Sequence, residues 1–433
     1  MDGNLLALLG IAFMLILLIS GANIGLSLLL VGVIGYSIIR DFNSAIVLLR
    51  NSFISSTLNS TYIVIPLFML MGTFAWKSGV SDDMFNAAKV WFGRTKGGIA
   101  YAAVVACAAF GAICGSMQAT TVTMCNVGKP IMKENKYKEE LIGGTLACGG
   151  TLGTLIPPSN NFILYGVIAE VSIGSLFAAG VIPGILMATL FCATIFVWTK
   201  LDLEAAPGSC AYSMREKLKS TKGFIPMVLL FALVLGGMFS GLLSMIEAAA
   251  AGAFVAFLFM FLRRKCTWRV LRNCLLDTVV ATGMTMVALS GATIFGAFLT
   301  ITNMPTNLAN AVAALTLPPW LIIAIIIVLF AIMGCFIDTI TIIILTVPIF
   351  LPIIQALGYD PIWFGVIMCL VANLGVITPP MGVICYVASS TLDIPLGKVF
   401  KGATYYIVAF AITFVLIVMF PQLALWLPGL ILG

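Results

Sequence analysis

The chain has 433 residues, of which 61% are hydrophobic and 9% charged, against the roughly 25% charged of a soluble domain. Runs without Asp, Glu, Lys or Arg, such as 322–334, 340–354 and 404–433, put the chain in a bilayer and leave no stretch for a soluble domain of ordinary size. The formal net charge of +6 sits in short loops between apolar segments, which makes it a topology signal and excludes a nucleic-acid surface.

The chain has no His, so the commonest metal ligand and proton shuttle are missing. Its eleven Cys are scattered, mostly through apolar spans and without a CxxC pair, and read as small buried hydrophobes. The apolar N-terminal run lacks a basic segment or a small-residue cleavage site and reads as a first span.

In chain order, scaffold helices are predicted over 4–77, a hairpin over 98–131 and a broken helix over 139–169, which together make a first unit of 1–200. A basic loop covers 201–223. A second unit, 224–420, has scaffold helices over 224–302, a hairpin over 318–355 and a broken helix over 361–390. A tail of 421–433 follows. The amphipathic stretches 40–60 and 263–277 read as arms along the membrane interface.

A helix crosses a bilayer with about 20 residues, so 98–131 and 318–355 are too long for one crossing. Each has a polar middle, Gly111 to Thr121 in one and Gly334 to Thr341 in the other. Both read as re-entrant hairpins with the polar middle at the tip, since non-helical backbone at that depth needs a cover of protein or water. Arg94 and Lys96 flank the first hairpin on one end, and Lys129, Lys133, Lys136 and Lys138 on the other, so both ends face the cytoplasm. Arg215, Lys217, Lys219 and Lys222 in the basic loop, and Arg263 to Lys265, fall on the same side. No Lys or Arg lies between Asn303 and Pro361, so the second hairpin opens outward. Counting spans puts both termini in the periplasm.

The two units match at a spacing of 222 residues. At that spacing Pro157-Pro158 falls on Pro379-Pro380, Gly153 on Gly375, Pro130 on Pro352, Tyr137 on Tyr359, Gly143 on Gly365, and Ser116 on Asp338. Chance coincidence in an apolar chain is the alternative, and so many ungapped landmarks argue against it. With opposite charge patterns around the hairpins, the halves read as inverted-topology repeats, a hallmark of secondary transporters.

Proline removes a backbone donor and displaces the residue before it from the helical region. Each diproline therefore interrupts its helix, and the freed carbonyls suit a cation while the amides of the following half-helix suit an anion. A simple kink is the alternative; two matched pairs followed by polar or Gly residues favour a site. Asp338 sits midway along a long uncharged stretch, where a carboxylate costs roughly 3 kcal/mol. It needs a partner: a sodium ion to which Thr341 adds an oxygen, or a proton in a carrier coupled that way. Ser116, with Gln118, Thr120 and Thr121, is the neutral counterpart; the alternative for these is helix-packing contacts.

Cys-Gly-Ser-Met-Gln-Ala (114–119), Gly-Thr-Leu-Ile-Pro-Pro-Ser (153–159) with Tyr165-Gly166, the run from Asp338 to Pro352, and Gly-Val-Ile-Thr-Pro-Pro-Met-Gly (375–382) resemble the large membrane subunit of tripartite ATP-independent periplasmic (TRAP) transporters, the DctM-type permease. The resemblance covers essentially the full length. It implies an all-α polytopic protein of the bacterial inner membrane with an elevator-type ion transporter fold. It implies no enzymatic activity and no cofactor, with sodium as coupling ion. The implied partners are a small four-helix membrane subunit and a periplasmic substrate-binding protein that delivers a small organic acid, such as a C4-dicarboxylate or sialic acid. Carried onto this chain, one sodium site uses Ser116, Gly153, Ile156 and Pro158, and the other Asp338, Gly375, Thr378, Pro380 and Met381. Ser159, Asn160, Asn161 and Gly382 are the positions expected against the substrate. No intramembrane Lys or Arg offers a carboxylate clamp, so amides and hydroxyls are left for that work. A stand-alone carrier coupled to sodium or protons stays open as the second reading. A membrane-embedded enzyme lacks a nucleophile–base pair, and a purely structural subunit would not bear the cost of Asp338.

Overall fold

The computed structural model describes residues 3–206, 212–313 and 318–431. These are helical with no strand. The first half comprises α1 (Gly3–Ile19), α2 (Ile24–Ile39), α3 (Phe42–Leu58), α4 (Val64–Ser78), α5 (Val80–Phe92), α6 (Gly98–Cys114), α7 (Met117–Glu134), α8 (Glu139–Thr151), α9 (Asn160–Ile168) and α10 (Ile173–Leu201). After α11 (Met214–Ser220) the second half comprises α12 (Ile225–Phe231), α13 (Gly237–Phe239), α14 (Met245–Leu262), α15 (Trp268–Ile301), α16 (Met304–Ala313), α17 (Pro319–Gly334), α18 (Thr339–Ala356), α19 (Pro361–Gly375), α20 (Val383–Leu392), α21 (Leu396–Met419) and α22 (Gln422–Ile431). Seven helical stretches among the described residues are long and apolar enough to cross a membrane.

Helix starts follow local chemistry. Asn23, Asp41, Ser116, Ser159, Asp338 and Asp360 each cap a helix by accepting an amide of its first turn. Ser213 and Ser244 form full capping boxes with Glu216 and Glu247. The latter assigns Glu247 an ordinary structural task at an exposed helix end.

Three segments differ from expectation. The arm over 263–277 is not separate from the span after it, because Trp268–Ile301 is one helix of 34 residues. The stretch 80–92, unassigned from sequence, is the amphipathic helix α5, with Asp82 and Asp83 in its first turn. The expected tail contains α22, which packs on α10 and α19 and buries Ala424 and Pro428.

α2 and α3 lie along α15, and α4 lies along α14. α5 and α7 pack on α6, α16 packs on α18, and α10 and α21 flank the two interrupted helices, α8–α9 and α19–α20. α8 runs against α21, and α19 against α10, so each interrupted helix is supported by a helix from the other half. The α8–α21 seam is very close: a Cβ placed on Gly402 would fall 1.9 Å from the Glu140 carbonyl oxygen. Farther along the seam the hydroxyls of Thr145 and Tyr406 meet at 2.6 Å, fully buried. At its end Lys398 pairs with Glu139 at 2.8 Å. Lys138 beside this end pairs with Asp202 at 2.7 Å, and that hydrogen bond holds the Asp202 carboxyl below its ordinary value.

The seam generates a prediction. Gly402→Val forces the helices apart in a packed interior, where overpacking costs about 1–3 kcal/mol or more. A marked fall in folded yield and melting temperature is expected in detergent. Gly397→Ala, at a position open to space within 4 Å, should leave both unchanged; equal behaviour of the two variants would contradict the seam.

Candidate functional site: two helix tips and two helix breaks

α6 turns into α7 at Gly115, whose φ of +63° lies in the left-handed region and whose N–H donates to the Gly111 carbonyl at 2.8 Å. Ser116 follows as the cap of α7. The turn from α17 to α18 ends at Asp338, whose carboxylate accepts the amides of Ile340 and Thr341 at 3.2 and 3.4 Å. The Thr341 hydroxyl donates to its other oxygen. Asp338 and Thr341, paired by sequence reasoning, therefore stand together.

Both diproline segments interrupt their helices, and Pro157-Pro158 and Pro379-Pro380 are cis. α8 tightens into a short 3₁₀ turn at Leu152–Thr154 before the break. Ser159 then spans the gap: its hydroxyl donates to the Thr154 carbonyl at 2.6 Å and accepts the Phe162 amide at 3.4 Å. In the second break the Thr378 hydroxyl donates to the Leu374 carbonyl at 2.7 Å, and Gly382 takes a φ of +41°.

The first tip is clasped to the first break. The Asn160 amide donates to the Gly115 carbonyl at 3.1 Å. A Cβ on Gly153 would fall 2.6 Å from the Thr120 hydroxyl and 3.1 Å from the Ser116 carbonyl. A Cβ on Gly115 would fall 2.7 Å from the Pro158 carbonyl. Ser116, Gly153 and Pro158 are thus brought together, with the buried Thr120 hydroxyl beside them and unpartnered. The Ile156 side chain instead packs beneath Gly184 of α10. The second set is looser. Gly375 backs onto Gly334 of α17, while Pro380 and Met381 are exposed.

The two tips and the start of α9 share one cavity of about 50 Å³, lined by Ser116, Gln118, Asn160, Asn161, Asp338 and Thr339 among others. The buried Asn161 Nδ2 and Thr339 Oγ1 have no hydrogen-bond partner. Of the residues expected against a substrate, Asn160 and Asn161 border this cavity. The Ser159 hydroxyl is used up in capping, and Gly382 packs under the Phe400 ring. Gln118, without a role from sequence, lies on the wall. A second crevice of about 220 Å³ shares Ser116 and Asn160 and reaches Thr73, Trp76 and Asp277 on α4 and α15. No Lys or Arg lines either space.

Two residues escaped sequence reasoning. Thr154 Oγ1 lies 2.9 Å from Asn373 Oδ1, and Asn373 Nδ2 donates to the Thr151 carbonyl at 3.3 Å. All three residues are buried. The available signal was Asn373 itself, a polar side chain within an apolar helix at the position 222 residues after Thr151.

Residues 11–423 match the family described as Tripartite ATP-independent periplasmic transporter, DctM component. The chain belongs to this family. It is 33% identical over 370 residues to a C4-dicarboxylate TRAP transporter large permease protein of Pseudomonas aeruginosa, covering 85% of this chain and 86% of that one. It is 31% identical over 435 residues to a sialic acid TRAP transporter large permease protein of Vibrio cholerae, covering 100% and 99%. Among solved structures it resembles the YdaH transporter of Alcanivorax borkumensis with a TM-score of 0.61 and 13% identity, over 89% of this chain and 88% of that one. At that identity the likeness concerns the fold alone. The DctM assignment makes the chain a multi-pass membrane component of a three-part transporter.

The bridge between the interrupted helices is testable. Asn373→Ala removes one of two donors to the Thr151 carbonyl, which keeps the Thr154 hydroxyl at 2.9 Å, so the loss is that of one hydrogen bond, about 0.5–1.5 kcal/mol. The melting temperature should drop, and Asn373→Asp, which keeps the acceptor but not the donor, should not restore it. Full stability of Asn373→Ala would show that the bridge holds nothing.

Proposed function

We propose that this DctM-family permease carries a small organic acid across the inner membrane in symport with sodium, moving a core built from α6–α10 and α17–α22 against a frame of the remaining long helices. The observation that carries the reading is the shared cavity. A carboxylate, two helix tips and a helix N-terminus meet at one place, with two buried polar atoms on its wall lacking partners, Asn161 Nδ2 and Thr339 Oγ1. Buried polar groups without partners are uncommon in a folded protein, and a cation with an anionic solute is the cargo that suits these.

The donor set fits sodium at both tips. The Ser116 carbonyl, the Gly153 backbone and the Thr120 hydroxyl form a neutral oxygen cage. Asp338 and Thr341 form a charged one, which Gly375, Thr378, Pro380 and Met381 would complete as the core rearranges. Oxygen donors of this kind suit a hard cation. The start of α9 directs its dipole at the cavity, and Asn160 and Asn161 supply amides to a carboxylate where no Lys or Arg is present. Relatives named for C4-dicarboxylate and for sialic acid make a carboxylate-bearing solute the natural class. The tripartite family description supports delivery by a periplasmic binding protein and a small four-helix membrane partner.

Two features support halves related by an inverted repeat. Helices α7 and α18 begin and end at positions 222 residues apart, and Asn373 touches Thr151, its own equivalent. Positions that meet their equivalents lie on a two-fold relation. The basic flanks of the first hairpin then face the cytoplasm, with the second hairpin opening outward and the termini periplasmic.

Asp338→Asn tests the coupling in vesicles that hold the chain with its small membrane partner and the binding protein. Charge-assisted contacts are worth about 1.5–3 kcal/mol, so sodium-driven uptake should fall roughly tenfold or more while the protein inserts and melts as before. Unchanged sodium dependence would remove Asp338 from the coupling site. Uptake without the binding protein would favour the stand-alone carrier.

A further inference from the structure

Outside the central site, a cleft of about 610 Å³ opens beside the last turns of α10. Phe92, Tyr101, Cys192 and Phe196 form its walls, and Lys96 and Lys200 stand with them. Cys192 lies eight residues before Lys200 on the same helix, so the wall extends about 12 Å along α10 from the lysine. No Asp or Glu lines the cleft.

Some lysines at helix ends are neutralised by a carboxylate. Lys138 is paired with Asp202, and Lys398 with Glu139. Lys96 and Lys200 make no ion pair among the described residues. The Lys200 ammonium instead lies 4.4 Å over the ring of Phe196, so its charge rests on the aromatic wall of the cleft with no carboxylate beside it. Two uncompensated ammonium groups beside an apolar cleft in a bilayer protein match a molecule with one anionic head and a hydrocarbon tail. Basic pockets between membrane helices take anionic lipid head groups for this reason.

We propose that this cleft binds one anionic phospholipid. An acyl chain fills the space between Phe92, Tyr101, Cys192 and Phe196, and the phosphate sits between Lys96 and Lys200. The lipid ties the start of α6, the first arm of the hairpin that carries Ser116, to α10. This assignment is independent of the coupling ion and of the solute.

The test uses the complex of this chain with its small membrane partner, taken from cell membranes in mild detergent. Native mass spectrometry counts retained phospholipid, and extraction identifies the head group. The wild type should retain one anionic phospholipid. Lys96→Gln with Lys200→Gln should lower retention by roughly fivefold per lysine, with the complex still eluting as one intact species, and Lys89→Gln should retain it fully. Cys192→Trp, which fills the cleft and leaves the charges, should also expel the lipid. Equal retention in the double variant, equal retention of zwitterionic lipid, or a cross-link from Cys192 to a helix of the partner subunit would each overturn the assignment.

Discussion

A bilayer interior offers no water to a backbone group that has lost its helical partner, and each unsatisfied group costs several kcal/mol. Both interrupted helices here create such groups, and much of the surrounding architecture answers them. The Ser159 hydroxyl serves both sides of the first gap. The Gly115 carbonyl takes the Asn160 amide, so a tip from one hairpin closes the end of a half-helix. The Thr378 hydroxyl turns back onto the Leu374 carbonyl in the second gap. These contacts require helices to approach unusually closely, which is why Gly111 meets Gly153 and Gly334 meets Gly375. Two of the buried polar atoms these bonds leave unmet, Asn161 Nδ2 and Thr339 Oγ1, stand on the wall of one cavity.

Features that depend on neighbours in sequence were legible. Gly-rich or polar residues inside apolar runs located both turns, and the diproline pairs located both breaks, because those residues act on their own backbone. Ser116 and Asp338 emerge as caps for the same local reason. Features that depend on neighbours in space were not. Asn373 gains its meaning only from Thr151 and Thr154 across the interface, and Asp277 only from the crevice it shares with Ser116 and Asn160. Ser159 has a structural task that sequence reasoning did not assign, because its hydroxyl bridges the first break. The arm over 263–277 failed because an amphipathic run beside a membrane looks the same whether it ends or continues into a span.

Membership of the DctM family gives these residues a shared setting, and the named relatives show that one architecture serves different solutes. In the proposed reading, backbone amides and short polar side chains would recognise a carboxylate without a fixed guanidinium, so small changes at Gln118, Asn160 or Asn161 would alter fit without dismantling the breaks.

The two diproline turns are equivalent in sequence, yet Pro157 and Pro158 are buried while Pro379 and Pro380 are exposed. Under the inverted repeat proposed above, an exchange of shapes between the halves would lay the first turn bare and enclose the second. The unequal burial of the two turns would then mark one end of the proposed movement, and accessibility at Pro157 and Pro379 is where its other end would be read.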